Sequence, residues 1–133
     1  MSAASRDVVA EVQAAAAALV QAFASNDTAR YFACFSEDAT FVFHTQPRTL
    51  SLAEYKAMWQ RWQAEGFAVL GCRSSEAQIS LQGEVAIFIH DVATRLYLDG
   101  QEHALQERET IVFRHRAGQW LACHEHLSAP SLS

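Results

Sequence analysis

The chain has 133 residues, 50% apolar, 11% aromatic and 19% charged, with a formal charge of −5 at pH 7. Burial on that scale can offset ordering entropy, so neither disorder nor a core propped by disulfides or metal is expected, and one domain spanning 1–133 is. Lys56 is the lone lysine among 10 basic residues and no basic run exists, which leaves a nucleic-acid backbone little to hold.

In chain order, Val8, Val12, Ala15, Ala16, Leu19, Val20 and Phe23 keep the spacing of one helical face, which predicts an amphipathic helix over 6–25. The run Ala14 to Val20, followed by Ala22-Phe23-Ala24, has the outline of a signal peptide. Asp7 and Glu11 stand where a positive flank belongs, so secretion is not expected, and no run reaches the ~18 apolar residues of a membrane span. Three cysteines, Cys34, Cys72 and Cys123, outside any CxxC spacing, favour reduced thiols and a cytoplasmic location.

Asn26-Asp27 ends the first helix, and Asp27 or Thr28 caps a second through about Phe35, with Tyr31, Phe32 and Phe35 as apolar contacts. Ala39 to His44 reads as a short strand, stopped by Gln46-Pro47. Ser51-Leu52-Ala53-Glu54 is a capping box, after which Tyr55, Met58, Trp59 and Trp62 repeat on one face until Gly66. From Phe67 the period changes to two, with strands near 67–82, 84–98, 103–116 and 119–128 separated by Gln82-Gly83, Asp99-Gly100 and Ala117-Gly118. Helices followed by an antiparallel meander are the α+β pattern, and Trp120, Phe88 and Val112 suggest a partner subunit on the uncovered sheet face.

The order of elements and the closing G-x-W-x(3)-H-x-H-x-S pattern, residues 118–128, resemble the nuclear transport factor 2-like superfamily, which holds the SnoaL-like polyketide cyclases and ketosteroid isomerase. The resemblance covers residues 8–128. YLDGQ (97–101) and QERETIVFRHRAGQWLACHEHLSAP (106–130) are most similar to the association, or hub, domain of calmodulin-dependent protein kinase II. The resemblance implies a cone-shaped α+β barrel, with three N-terminal helices packed in a strongly bent antiparallel sheet around an apolar cavity, and a homodimer through the outer sheet face. In the enzymes a buried carboxylate or histidine acts as general base; in the hub, arginines hold carboxylate ligands. Those arginine positions align with Ala93, Ile111 and Leu127, so none is kept here.

If those positions point into the cone, strand parity sends inward Asp91, Ala93, Arg95 and Tyr97, then Glu107, Glu109, Ile111 and Phe113, then Cys123, Glu125 and Leu127. A bulge would swap the faces for part of a strand. One reading makes Glu109 or Glu125 a base among apolar walls (Phe41, Phe43, Trp59, Phe113), with Arg95 and Tyr97 polarising a substrate oxygen. The competing reading makes Arg95 a buried structural partner of Glu109 or Glu125.

His124 and His126 share a strand face with Trp120 and Ser128. They serve as polar contacts to a subunit or neighbouring strand, or, with parity reversed, His126 serves as a base and His124 as a ligand contact. A zinc site needs His44 or His90 to converge on them, and nothing in the sequence demands that, so neither metal nor cofactor is expected. His44 is placed at the mouth of the cone and Trp59 on its wall. The expected ligand is a small apolar or carbonyl-containing molecule, handled by an isomerase-, cyclase- or dehydratase-type enzyme; a noncatalytic binding or assembly module is the alternative.

Overall fold

A computed structural model describes residues 3–129. The order is α1 (Ala3–Ala24), α2 (Thr28–Phe32), β1 (Phe35–Phe43), β2 (Leu50–Ser51), α3 (Leu52–Ala64), β3 (Ala68–Gln82), β4 (Val85–Leu98), β5 (Gln101–Arg116) and β6 (Gln119–Ser128). The six strands form one curved, unclosed sheet in the order β2-β1-β6-β5-β4-β3. This is the expected α+β architecture with one addition: β1 pairs with β6 in parallel, so the meander is antiparallel only from β3 to β6. The strand expected to start at Ala39 starts at Phe35, and the second helix is correspondingly shorter.

Val12, Ala16, Leu19 and Ala22 fall on one side of α1 and are at most 3% exposed, because a helix brings residues three and four apart to the same face. The span Ala4–Ala24 has the length and mean apolarity of a membrane-crossing helix, although Arg6, Asp7, Glu11, Gln13 and Gln21 interrupt any continuous apolar run; a core helix of a folded domain meets the same measure, and this one buries a face against the sheet. Asp27 caps α2 by accepting the Arg30 N–H at 3.1 Å. The capping box of α3 is complete, with Ser51 Oγ accepting from Glu54 N–H and Glu54 Oε1 from Ser51 N–H.

A polar knot fixes the helices to the sheet. The Asn26 side chain, on a residue of left-handed φ (61°), donates to Val69 O at 2.8 Å and accepts from Val69 N–H at 2.7 Å, copying a strand partner at the start of β3. Trp59 Nε1–H donates to Thr28 Oγ1, whose hydroxyl donates to Gln63 Oε1. Around this knot Tyr31, Phe32, Phe35, Phe41, Tyr55 and Trp59 pack at aromatic centroid distances from 4.6 Å upward, in tilted and edge-on pairs.

Candidate functional site

Which side chains enter the space between sheet and helices is decided by turn length and by two bulges. The turn Asp99-Gly100 places both residues at positive φ (55° and 77°), the twist that joins strands in a two-residue hairpin. Leu98 pairs with Gln101 across it, so every odd-numbered residue of β5 stands opposite an even-numbered residue of β4. The inward row of β5 is Glu107, Glu109, Ile111 and Phe113, and that of β4 is therefore Phe88, His90, Val92 and Thr94.

On β6 the register slips at Cys123: Val112 pairs with His124 but Phe113 with Ala122. Trp120 and Ala122 therefore face the core below the slip and Glu125 and Leu127 above it. On β3 the register slips between Ser75 and Gln78, where Glu76 has φ 56°. That bulge turns the even-numbered Cys72 and Ser74 toward the same side as His90 and Thr94.

The result is a polar cluster on an apolar floor. His90, 1% exposed, has Nε2 2.7 Å from Glu109 Oε1 and Nδ1 2.5 Å from Ser74 Oγ. Glu125, also 1% exposed, sits beside Glu109, and its Oε2 is buried without a hydrogen-bond partner. Two ionised carboxylates are acceptors only and cannot satisfy one another; a proton on one of them serves both. Burial, then the charge of Glu109, then a hydrogen bond to it push the Glu125 carboxyl well above the ordinary glutamate range, so Glu125 is the one that holds the proton. Tyr31 and Tyr55, hydroxyls 3.0 Å apart, are held neutral chiefly by burial.

Glu109, Glu125, Tyr31, Tyr55 and Thr94 line an inner cavity of about 50 Å³, room for a water or the carbonyl end of a larger molecule. A wider cleft of about 400 Å³ has walls from Phe43, Trp59, Trp62, Phe67, Leu96 and Leu105, a size and character suited to a small organic ligand. Phe23, Tyr55, Glu107 and Leu127 line both, so the cleft is the vestibule of the inner cavity. His44, at the end of β1, binds Glu107 at 2.6 Å.

Several expected placements are corrected. Arg95 lies on the opposite face, its side chain 60% exposed and paired with Glu102 at 3.0 Å, and Tyr97 is 41% exposed. Both follow from the two-residue turn, which makes odd positions of β4 face outward when odd positions of β5 face inward; Asp91 and Ala93 turn outward with them. Arg95 is therefore no partner of Glu109 or Glu125. His124 and His126 lie on the outer face of β6, with His124 Nδ1 2.8 Å from Thr40 Oγ1 on β1, while His126 is exposed.

Trp120 is not on the outer face with these histidines, because the Cys123 slip reverses it, and Phe88, 3% exposed, is core and not a subunit contact. Phe113, 1% exposed, packs against Phe88 in the core and lines neither cavity, whereas Trp59 lines the vestibule. Among the described residues no group of three or more His, Cys, Asp and Glu has metal-holding geometry.

Reading the sequence offered His90 only as a possible zinc ligand and did not single out Ser74. The signal for His90 was present, since on β4 the odd positions carry the charges Asp91 and Arg95 and the even ones carry Phe88 and Val92. Ser74 depends on a bulge at a residue, Glu76, that no turn signal marks.

The state of Glu125 is measurable in stability. Its folded-state pKa is raised, so the stabilising effect of protonation is complete below about pH 4.3, the unfolded value, and is lost as pH rises through the folded one. For one extra proton the slope is about −1.4 kcal/mol per pH unit. Glu125→Gln, a neutral isostere, is expected to remove this component, so that its margin over wild type grows from about pH 5 upward in chemical denaturation. A margin independent of pH would mean that Glu125 is ionised in the folded protein.

The family described as the SnoaL-like domain matches residues 12–131. No curated protein matches the chain in sequence. Among solved structures, an NTF2-like protein from Cytophaga hutchinsonii is similar over 98% of this chain and 100% of its own, at TM-score 0.80 and 15% identity. A protein assigned to the calcium/calmodulin-dependent kinase II association domains, from Exiguobacterium sibiricum, is similar over 100% and 98%, at TM-score 0.80 and 11% identity. An NTF2-like protein of unknown function from Pseudomonas putida is similar over 92% and 88%, at TM-score 0.72 and 21% identity. At such identities these likenesses speak for the fold.

Proposed function

Because the chain belongs to the SnoaL-like domain family, we propose that it binds a small apolar carbonyl compound in the vestibule and moves a proton on it at the inner cavity. What carries the reading is the buried Glu109–Glu125 pair at the closed end of an apolar cleft, with His90 fixing one carboxylate. Glu109, oriented by His90, is the general base at the carbon next to the carbonyl. Glu125, whose proton turns from Glu109 to the ligand, and the Tyr55 hydroxyl donate to the carbonyl oxygen as negative charge develops there. The aromatic walls hold the ligand body and exclude water, which strengthens those donors. We place this activity in the cytoplasm, in a homodimer formed through the outer sheet face, where Ile87, Ile89 and Val112 are only half-buried.

The test follows hydrogen–deuterium exchange next to the carbonyl of an apolar ketone series, 2-tetralone among them, by NMR in deuterium oxide, with quenching of tryptophan fluorescence as the binding readout. Exchange faster than in buffer alone supports proton transfer. Ketones that bind without any exchange above buffer would overturn it. Similarity to the kinase association domain favours a second reading, a noncatalytic assembly module. A ring of many subunits in sedimentation, with no exchange, is its signature.

A further inference from the structure

Besides the vestibule, the cluster has a second side. Ser74 is exposed, on the wall of a separate cleft of about 300 Å³ between α1 and β3 whose lining includes Ala16, Ala17, Ala77 and Phe88. Its hydroxyl nevertheless touches Nδ1 of His90, an imidazole whose side chain is 0% exposed. The other ring nitrogen touches Glu109, which lines the inner cavity. A continuous line of hydrogen-bonding groups thus runs from bulk water on the α1–β3 side, through the buried ring, to the carboxylate pair, and it shares no lining residue with the vestibule.

We propose that Ser74, His90 and Glu109 form a proton relay that keeps the carboxylate pair in exchange with solvent while a ligand fills the vestibule. Inward, a water proton passes through the Ser74 hydroxyl to Nδ1 as Nε2 releases its proton to the Glu109 carboxylate. Outward, protonated Glu109 returns a proton to Nε2 as Nδ1 releases one through Ser74 to water. Each transfer leaves the ring neutral and in the tautomer that the opposite transfer requires, so the two directions alternate and no other donor or acceptor is needed. A hydroxyl suits the surface end, because it accepts and donates in the same step. Ser74 and His90 are positioning residues, since neither lines the cavity where a ligand would react. The service to catalysis rests on the proton-transfer reading above; the path itself does not.

The experiment uses the whole chain, 15N-labelled, and measures transfer of water magnetisation to the His90 ring proton by NMR, first ligand-free and then saturated with 2-tetralone. Exchange is expected in both states, with β4 backbone amides remaining protected. Ser74→Val is expected to slow it at least tenfold and to lower Tm, because Nδ1 of the buried ring loses its partner, whereas Ser74→Thr, which keeps the hydroxyl, is expected to hold both near wild type. Equal exchange in Ser74→Val and wild type, or its loss when the ketone binds, would overturn the relay. Exchange that passes through Ser74 while the ketone itself shows none would sustain the path and refute the proton-transfer reading, so the two fail separately.

Discussion

Glu109→Gln is expected to slow deuterium exchange next to the carbonyl of a bound ketone by about 10²–10⁴-fold, the usual worth of a positioned general base. The amide keeps the size of the carboxylate and retains an oxygen that accepts from His90 Nε2–H. It cannot take up a proton at neutral pH. Ligand affinity, read from tryptophan quenching, is expected to change little, because Trp59, Trp62 and the other vestibule walls are untouched. Stability discriminates further. If the pair were only structural, the neutral amide would leave exchange as it was and act on Tm alone. A Glu109→Gln variant that exchanges the ketone at the wild-type rate would remove Glu109 from the mechanism.

Trp59→Ala is expected to cost about 3–5 kcal/mol of folding stability, the range for deleting a large buried aromatic. Trp59 is 0% exposed and its ring lies 5.0 Å from Tyr31, 5.2 Å from Phe67 and 5.8 Å from Phe23, so its removal leaves a void bounded by rings of α1, α2 and the residue that precedes β3. Its Nε1–H also holds Thr28, which in turn binds Gln63. Trp59→Phe keeps most of the volume and loses only the donor, and a cost of about 1 kcal/mol is expected for it. Denaturant unfolding with an unchanged m-value would report both. Similar costs for Ala and Phe would show that the hydrogen bond, and not the packing, is what Trp59 contributes.

How much of this was legible in the sequence differs between elements and faces. Capping at Ser51 and Glu54, the aromatic stripe of α3 and the two-residue turns are local signals, and each produces its element within a residue or two. β2, only two residues long, has no such signal. The inward row of β5 was also legible, and with it Glu109. The row of β4 was misread because Ala93 was set inward by similarity to a distant relative, although the turn Asp99-Gly100 requires the opposite parity. That information was in the sequence. The slips at Cys123 and Glu76 were not: one extra residue on a long strand changes no composition or period that a single sequence displays, yet it decides that Trp120 and Glu125 share a face and that Ser74 meets His90.

The irregular course of β3 has a further consequence. As the last strand of the sheet, 15 residues long, it has no strand neighbour on one side, and beyond Val69, which Asn26 caps, its row of backbone N–H and C=O groups there is a template for recruiting another chain into a growing fibril. The kink at Glu76, a second break near Leu70, and the charges of Arg73 and Glu76 interrupt that row before a long straight segment can form. The residue insertion that delivers Ser74 to the buried imidazole is at the same time a guard against edge-to-edge aggregation.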